Sequence, residues 1–118
     1  MTRLVNRTRG AVLAERVERA VRLRDRLRGL LGRGCLAEGG ALAIEPCSSI
    51  HTFFMKFAID AVFLDGRGRV VELISLRPWR ATRIYPDAAQ VVELPAGTLA
   101  RTSTRKGDEL AFETAPGV

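Results

Sequence analysis

The sequence is poor in the residues that most often carry enzyme chemistry or bind metals. Its 118 residues include one histidine (His51), one tryptophan (Trp79) and two cysteines (Cys35 and Cys47). The cysteines lie far apart and form no Cys-x-x-Cys pair, so a zinc site that combines Cys47 with His51 is a poor match to known ligand spacings, and we expect no metal. We expect both cysteines to be free thiols in a reducing cytoplasm.

The recognisable catalytic motifs are also absent. The sequence has no phosphate-binding loop, no dinucleotide fingerprint, no Gly-x-Ser-x-Gly elbow and no His-Glu-x-x-His pair. We therefore expect no cofactor. Apolar runs of about 18 residues, which a membrane span requires, are missing too. Residues 1–7 are basic, but no apolar stretch follows them, so we expect no secretory signal and a cytoplasmic location.

Acidic residues are scarce in the first third of the chain. Residues 1–33 hold ten arginines against Glu15, Glu18 and Asp25, a net charge of +7, whereas residues 34–118 have a net charge of −1. Arginine suits phosphate recognition, although an arginine bias also follows from GC-rich codon usage. The segment from residue 3 to residue 33 is therefore a candidate for weak, non-specific binding of polyanions, and for nucleic-acid binding.

The apolar pattern predicts a single domain over residues 1–118, because 118 residues leave little room for a second core. It predicts a strand near residues 11–18 and a helix near 21–31, followed by mostly β structure. Asp65 and Gly66 predict a hairpin turn. The later strands are predicted at 41–44, 50–57, 59–64, 69–76, 91–94 and 109–113. The expected fold class is mainly β (α+β), a compact β-sandwich or barrel-like domain with one packed helix.

Several blocks of the sequence resemble a known family. They are Arg26–Arg33, Gly40–Ile44, Ile50–Asp65, Gly68–Val71, Arg77–Arg80, Val92–Gly97 and Lys106–Asp108. In their order and spacing they resemble the bacterial and archaeal family called domain of unknown function 192, over about residues 11–112. The resemblance implies a compact, mainly β domain with one helix packed against it, and it implies no assigned activity. Many relatives have Phe-Trp-Met where this chain has Phe53, Phe54 and Met55, and many are exported.

Polar and aromatic residues cluster in two stretches of the chain. If residues 50–57 form a strand, His51, Phe53, Met55 and Phe57 share one face, and Thr52 lies on the other. Asp60 opens an apolar strand, so its carboxylate needs hydrogen bonds or a partner such as Arg80. The loop Arg77-Pro-Trp-Arg80 could stack a ring and hold an anion, or Trp79 could plug the end of the sheet. The candidate binding residues are His51, Thr52, Met55, Asp60, Trp79 and Arg80.

Three classes of function remain open at this stage. The leading hypothesis is a non-enzymatic binding module for an anionic ligand or a protein partner. The first alternative is a hydrolase or lyase that uses His51 and Asp60, which would have to lie close together in a cleft. The second is a nucleic-acid-binding protein that uses the arginines of residues 3–33, which would have to share one exposed face.

Overall fold

The computed structural model describes residues 2–20 and 38–114. These residues contain one helical turn, α1 (Thr98–Arg101), and eight strands. The strands are β1 (Thr2–Asn6), β2 (Ala11–Ala14), β3 (Arg16–Ala20), β4 (Gly40–Ile44), β5 (Ile59–Leu64), β6 (Val70–Leu76), β7 (Gln90–Pro95) and β8 (Leu110–Thr114). The predicted helix at residues 21–31 and the predicted thiol of Cys35 lie outside the described residues.

The strands form two sheets. The smaller sheet has the order β2-β1-β8, and the larger has the order β3-β4-β7-β5-β6. Strands β3 and β4 are parallel, and every other neighbouring pair is antiparallel. The mainly β fold predicted from the sequence is therefore confirmed. The two sheets are layered in the manner of a sandwich, and within the described residues neither closes into a barrel.

Two apolar clusters cover the two faces of the larger sheet. The inner core joins the two sheets, with Leu4 and Leu110 of the smaller sheet packed against Val62, Leu64 and other residues of the larger. The loop-side core lies on the opposite face and includes Ile59, Ala61 and Phe63, together with loop residues. Because successive side chains of a strand point to opposite faces, β5 is buried along its whole length and supplies both cores.

The hairpin predicted at Asp65 and Gly66 is confirmed, since β5 pairs antiparallel with β6. Asp65 organises its turn, because one carboxylate oxygen accepts hydrogen bonds from the backbone N–H groups of Arg67 at 2.8 Å and Arg69 at 2.9 Å. These bonds lower the pKa of Asp65, the bond from Arg69 most of all. The ladder contains one bulge, opposite Phe63 and Leu64. The bulge breaks the strict alternation of β6.

Two strand predictions were wrong. The strand expected at residues 11–18 is two strands in different sheets, separated at Glu15. Backbone N–H groups of Glu15 and Arg16 both donate to the Gly39 carbonyl, at 2.8 and 3.0 Å, and the chain passes there from one sheet to the other. Residues 50–57 form no strand, and only His51 makes an isolated bridge. Their hydrogen bonds go instead to a loop from a distant part of the chain.

Candidate functional site

Two loops carry five of the six candidate residues and lie against each other. The first loop, residues 50–58, precedes β5, and the second loop, residues 77–85, follows β6. His51 bridges to Ala81, and the Thr82 N–H donates to the Ile50 carbonyl at 2.9 Å. The last residue of β6 pairs with the first of β5. Both loops therefore emerge at the same end of the larger sheet.

Thr52 fastens the two loops together. Its side chain is 0% exposed, and its hydroxyl donates to the Arg77 carbonyl at 2.6 Å and accepts from the Arg80 N–H at 2.9 Å. Its backbone N–H donates to the Arg80 carbonyl at 2.7 Å, and its carbonyl accepts from the Trp79 N–H at 2.9 Å. Since a buried polar group left without a partner is costly, Thr52 fixes the conformation of the second loop.

Four rings stand at the surface above this junction, and we call them the aromatic patch: His51, Phe53, Phe54 and Trp79. Phe53 is 38% exposed, Phe54 68% and Trp79 54%. His51 and Phe53 are stacked with centroids 4.8 Å apart, whereas Phe54 and Trp79 are 4.6 Å apart and tilted by 57°. A tilted pair leaves ring faces uncovered, so the patch presents aromatic surface to solvent.

The backbone at the two most exposed rings has an unusual conformation. Phe54 has a φ of 68° and Trp79 a φ of 63°. Bulky residues rarely adopt this left-handed region, and each such residue costs on the order of 1–3 kcal/mol. The Trp79 N–H donates to the Thr52 carbonyl at 2.9 Å, and Phe54 lies in a local turn closed by a bond from the Met55 N–H to the Thr52 carbonyl at 3.2 Å. The fold thus keeps two large aromatic side chains at the surface in a strained backbone, a combination that points to function.

Three cations, Lys56, Arg77 and Arg80, accompany the rings, and we call them the basic collar. All three are exposed, and the Arg80 guanidinium donates to the Trp79 carbonyl at 3.3 Å. Residues 50–58 and 77–85 contain no aspartate or glutamate. None of the ion pairs formed between described residues involves a member of the collar. The collar therefore carries positive charge that the described carboxylates do not neutralise.

Arg83 lies on the second loop but belongs to a different set of contacts. Its guanidinium lies 5.0 Å from the ring centre of Tyr85. Burial raises the pKa of Glu72, but a hydrogen bond and ion pair with Lys106 at 2.9 Å, with the charge of Arg83, hold it below its ordinary value of 4.5. We leave Arg83 out of the basic collar because its charge is partly balanced by Glu72.

His51 is exposed and makes one local hydrogen bond. Its Nδ1 accepts a hydrogen bond from the Phe53 N–H at 3.2 Å. This bond and the ring stack keep the imidazole beside Phe53. The expected placement of His51 on one strand face with Met55 is wrong, because Met55 is buried in the loop-side core while His51 is at the surface. The turn at Phe53 and Phe54 separates them.

Asp60 lies apart from the patch. Its carboxylate is 1% exposed and accepts three hydrogen bonds: from the Ser75 hydroxyl at 2.7 Å, the Gly97 N–H at 3.1 Å and the Leu99 N–H at 2.9 Å. It thereby ties β5 to β6 and to the start of α1. The expectation that this carboxylate is hydrogen-bonded is confirmed, but its partners do not include Arg80.

The alternation of β5 explains this separation. Ile59 and Ala61 face the loop-side core, which contains Met55, so Asp60 between them faces the other way. Its partner Leu99 belongs to the inner core. His51 and Asp60 are thus on opposite sides of the larger sheet. Of the six candidate residues, His51, Trp79 and Arg80 meet at the surface, Thr52 and Met55 lie beneath them, and Asp60 is elsewhere.

The sequence reasoning missed three residues that complete this surface, Phe53, Phe54 and Lys56, and it considered Arg77 only as part of a loop without naming it among the candidate binding residues. A signal for them exists in the sequence, since two adjacent phenylalanines close to a lysine cannot both lie on one face of a strand. The Arg77-Pro-Trp-Arg80 loop was recognised. Trp79 does not plug the end of the sheet, since about half of its surface is exposed.

A cavity of about 420 Å³ lies elsewhere on the described surface. It contains none of the candidate residues and no cation or histidine, and its lining consists of Glu45, Pro46, Cys47, Ser48, Ser49, Ala88 and Ala89. The Cys47 thiol there donates to the Ser49 carbonyl at 3.0 Å. Across the described ranges, no cluster of three or more histidine, cysteine, aspartate or glutamate side chains is arranged to hold a metal ion.

The arginines of the first third are partly engaged where the structure describes them. Arg3 and Arg7 each lie 3.5 Å from a Glu113 carboxylate oxygen, and Arg9 lies 3.1 Å from Asp108. Arg19 lies over the Phe112 ring at 4.4 Å. Several of these charges therefore already face a carboxylate or a ring. Arg16 donates to the Glu38 carbonyl at 3.2 Å, and the five arginines from residue 22 to residue 33 lie outside the described residues.

Comparison with known proteins identifies the group to which this fold belongs. A family model described as "Uncharacterized ACR", for domain of unknown function 192, matches residues 4–112. The chain belongs to the domain of unknown function 192 family. The resemblance seen in the sequence is confirmed, and the match begins several residues earlier than expected.

Proteins from archaea share about a third of the aligned sequence. A UPF0127 protein of Thermococcus sibiricus is 35% identical over 115 residues, which cover 93% of this chain and 74% of that protein. A UPF0127 protein of Thermococcus gammatolerans is 32% identical over 114 residues, with the same coverage of 93% and 74%. These names assign no activity.

Two crystal structures share the fold. A protein of unknown function from Novosphingobium aromaticivorans superimposes with a TM-score of 0.79 at 19% identity, over 93% of this chain and 82% of that one. A Sinorhizobium meliloti protein, described as a "putative transcription regulator", superimposes with a TM-score of 0.75 at 22% identity, over 94% and 91%. At these identities the likeness extends to the fold alone. No described helix is long and apolar enough to cross a membrane.

Proposed function

We propose that this domain is a non-catalytic binding module whose ligand is anionic, and that the aromatic patch with its basic collar is the binding surface. The observation that carries the proposal is the coincidence of three large exposed rings with three cations that no described carboxylate neutralises. Monomeric proteins rarely leave such rings exposed in a group without a use.

The fixed geometry of the surface supports this proposal. Thr52 locks the two loops together through its buried hydroxyl and backbone, and Phe54 and Trp79 are held in a strained conformation. A surface that is already ordered loses little conformational entropy when a ligand binds. Strained backbone is often found at functional sites, so the left-handed φ of Phe54 and Trp79 supports a functional role for their exposed rings.

The alternative of a hydrolase or lyase is less well supported. Such an enzyme needs an acid and a base within reach of one reacting group. Asp60 is buried, is satisfied by three donors and lies on the far side of the larger sheet from His51. His51 is held by a backbone N–H and a ring stack. Neither residue has the surroundings of a general acid or base.

Weak polyanion binding through the basic first third remains a second proposal. It is less favoured because Arg3, Arg7 and Arg9 already lie beside carboxylates. The cytoplasmic location expected from the sequence also remains a proposal. The binding of an anion by the patch does not depend on either of them.

Trp79 provides a direct test, because it is the only tryptophan and lies in the patch. Titration with sodium polyphosphate should change its fluorescence, and the affinity should fall steeply as salt is raised. Arg80→Ala should weaken this binding several-fold. The matched control is Arg67→Ala, since Arg67 is exposed in the turn at the other end of the β5–β6 hairpin. Equal affinity of wild type and Arg80→Ala, or no response of Trp79, would contradict the proposal.

A further inference from the structure

We infer that the anion bound by the aromatic patch is single-stranded nucleic acid, whose bases stack on Phe54 and Trp79 and whose phosphates meet the basic collar. This inference rests on the proposed function and narrows its ligand to one chemical class. It begins from the kind of apolar surface that the two loops expose.

Most of the large apolar side chains exposed among the described residues are aromatic rings of the patch. The large apolar side chains that are exposed among the described residues are Phe53, Phe54, Trp79 and Ile84, and three of the four are rings in contact with one another. Any nucleobase offers a flat π-face, so a ring platform binds bases with little sequence preference. Phe54 and Trp79 retain free surface because their rings are tilted by 57°.

The cations lie close to the rings in the sequence of both loops. Arg77 and Arg80 flank Trp79 in the second loop, and Lys56 follows Phe54 closely in the first. The backbone bonds of Thr52 to Arg80 and Trp79 hold the two loops side by side. Exposed rings and exposed cations are therefore close neighbours in the sequence on two loops that lie side by side. Grooves that bind single strands combine these same two elements.

The two loops contain no acidic residues, which favours an anionic ligand over a neutral one. Residues 50–58 and 77–85 contain no carboxylate that would repel phosphates. A duplex is a poorer fit, because its bases are stacked on one another and cannot reach the rings. An anionic membrane and an acidic peptide also carry negative charge, but neither supplies a series of free aromatic faces.

The test compares ligands that have the same charge with and without bases. A fluorescein-labelled oligodeoxythymidine of about 12 nucleotides lies within the site sizes of single-strand-binding folds. Its anisotropy is measured against an abasic strand with the same number of phosphates. Stacking of a single base is worth a factor of about ten or more, so the oligodeoxythymidine should bind at least about tenfold more tightly. Trp79 fluorescence should be quenched by the oligodeoxythymidine and much less by the abasic strand.

Ring variants separate stacking from charge. Phe54→Ala retains Trp79 as the fluorophore, and Trp79→Leu is followed by anisotropy alone. Both should weaken binding of oligodeoxythymidine about tenfold while the abasic strand binds as before. Arg80→Ala should weaken both ligands. Phe54 is the safer position, because its side chain is 68% exposed and its removal leaves little cavity.

Different negative results would contradict either the nucleic-acid inference alone or the proposed function as well. If the abasic strand or poly-glutamate binds as tightly as oligodeoxythymidine and depends on Arg80, the binding surface stands and the nucleic-acid inference is wrong. The same conclusion holds if phosphatidylserine vesicles shift Trp79 emission to the blue and oligodeoxythymidine has no effect. If no anion changes Trp79 emission or distinguishes wild type from Arg80→Ala, both the inference and the proposed function fail.

Discussion

Replacing Asp60 with alanine removes a carboxylate that three donors share. Hydrogen bonds to a charged group contribute about 1.5–3 kcal/mol each, and a buried donor left unpaired costs about 1–3 kcal/mol. Ser75 and Gly97 are exposed, so their donors can turn to water, whereas the Leu99 N–H is buried and loses its partner. We therefore expect Asp60→Ala to lower the free energy of unfolding by about 2–4 kcal/mol, less than the sum of the three bonds.

The assay is equilibrium unfolding in urea, with three variants as controls. Asp60→Asn keeps an oxygen that can accept from the two backbone donors and gains an amide that can donate to the Ser75 hydroxyl. It should therefore lower the free energy of unfolding by at most about half as much as Asp60→Ala does. His51→Ala and Arg80→Ala remove exposed side chains and should stay within about 0.5 kcal/mol of wild type. Two results would refute the conclusion that Asp60 stabilises the fold whereas Arg80 belongs to the binding surface. One is an Asp60→Ala variant with nearly the stability of wild type, and the other is an Arg80→Ala variant that loses as much unfolding free energy as Asp60→Ala.

Four further predictions follow from individual contacts. Thr52→Val should cost about 1–3 kcal/mol in urea unfolding because the Arg80 N–H loses its acceptor, and Thr52→Ser should cost less. Phe54→Gly should be more stable than Phe54→Ala by about 1 kcal/mol, because glycine adopts the left-handed φ at this position without strain and alanine does not. If the alanine variant is the more stable of the two, as at ordinary backbone positions, the strain is absent. Gly68→Ala should be strongly destabilising in thermal melts, since a Cβ would lie 2.5 Å from a β8 carbonyl, whereas Gly66→Ala, with open space, should be nearly neutral. Burial raises the pKa of Asp108, but hydrogen bonds from Asn6 and Arg9 hold this pKa below its ordinary value of 3.8, so the carboxylate's contribution to stability is complete above about pH 4 and is lost as the pH falls through the folded-state pKa. The difference in unfolding free energy between wild type and Asp108→Asn should therefore shrink below about pH 4, and a difference that stays constant with pH would contradict this.

Local signals in the sequence predicted the parts of the fold that depend on near neighbours. The Asp65-Gly66 turn between two apolar runs specifies the β5–β6 hairpin, because Asp65 supplies the acceptor that closes its own turn. The nearly continuous apolar character of β5, interrupted by Asp60, is typical of a buried strand, and all six of its residues are buried. The need of Asp60 for hydrogen bonds was also evident, because a carboxylate beside buried strand residues must be satisfied.

The parts that were missed depend on partners distant in the chain. The break at Glu15 is set by the Gly39 carbonyl, which no local pattern reveals. Residues 50–57 have the composition of a strand, but the partner of Thr52 is the second loop and the ladder never forms. The left-handed backbone at Phe54 and Trp79 is disfavoured by their own side chains, and at Trp79 it accompanies a bond from its N–H to the Thr52 carbonyl in the distant first loop. The exposure of the patch could not be predicted without these tertiary bonds.

Chemical-shift mapping tests the central claim most directly, because it locates the binding surface without mutation. Backbone amide spectra of the labelled protein are recorded during titration with sodium polyphosphate. We expect the largest shifts to fall within residues 51–56 and 77–82 and to include the indole N–H of Trp79. Shifts concentrated in the arginine-rich first third, with the two loops unchanged, would contradict this claim.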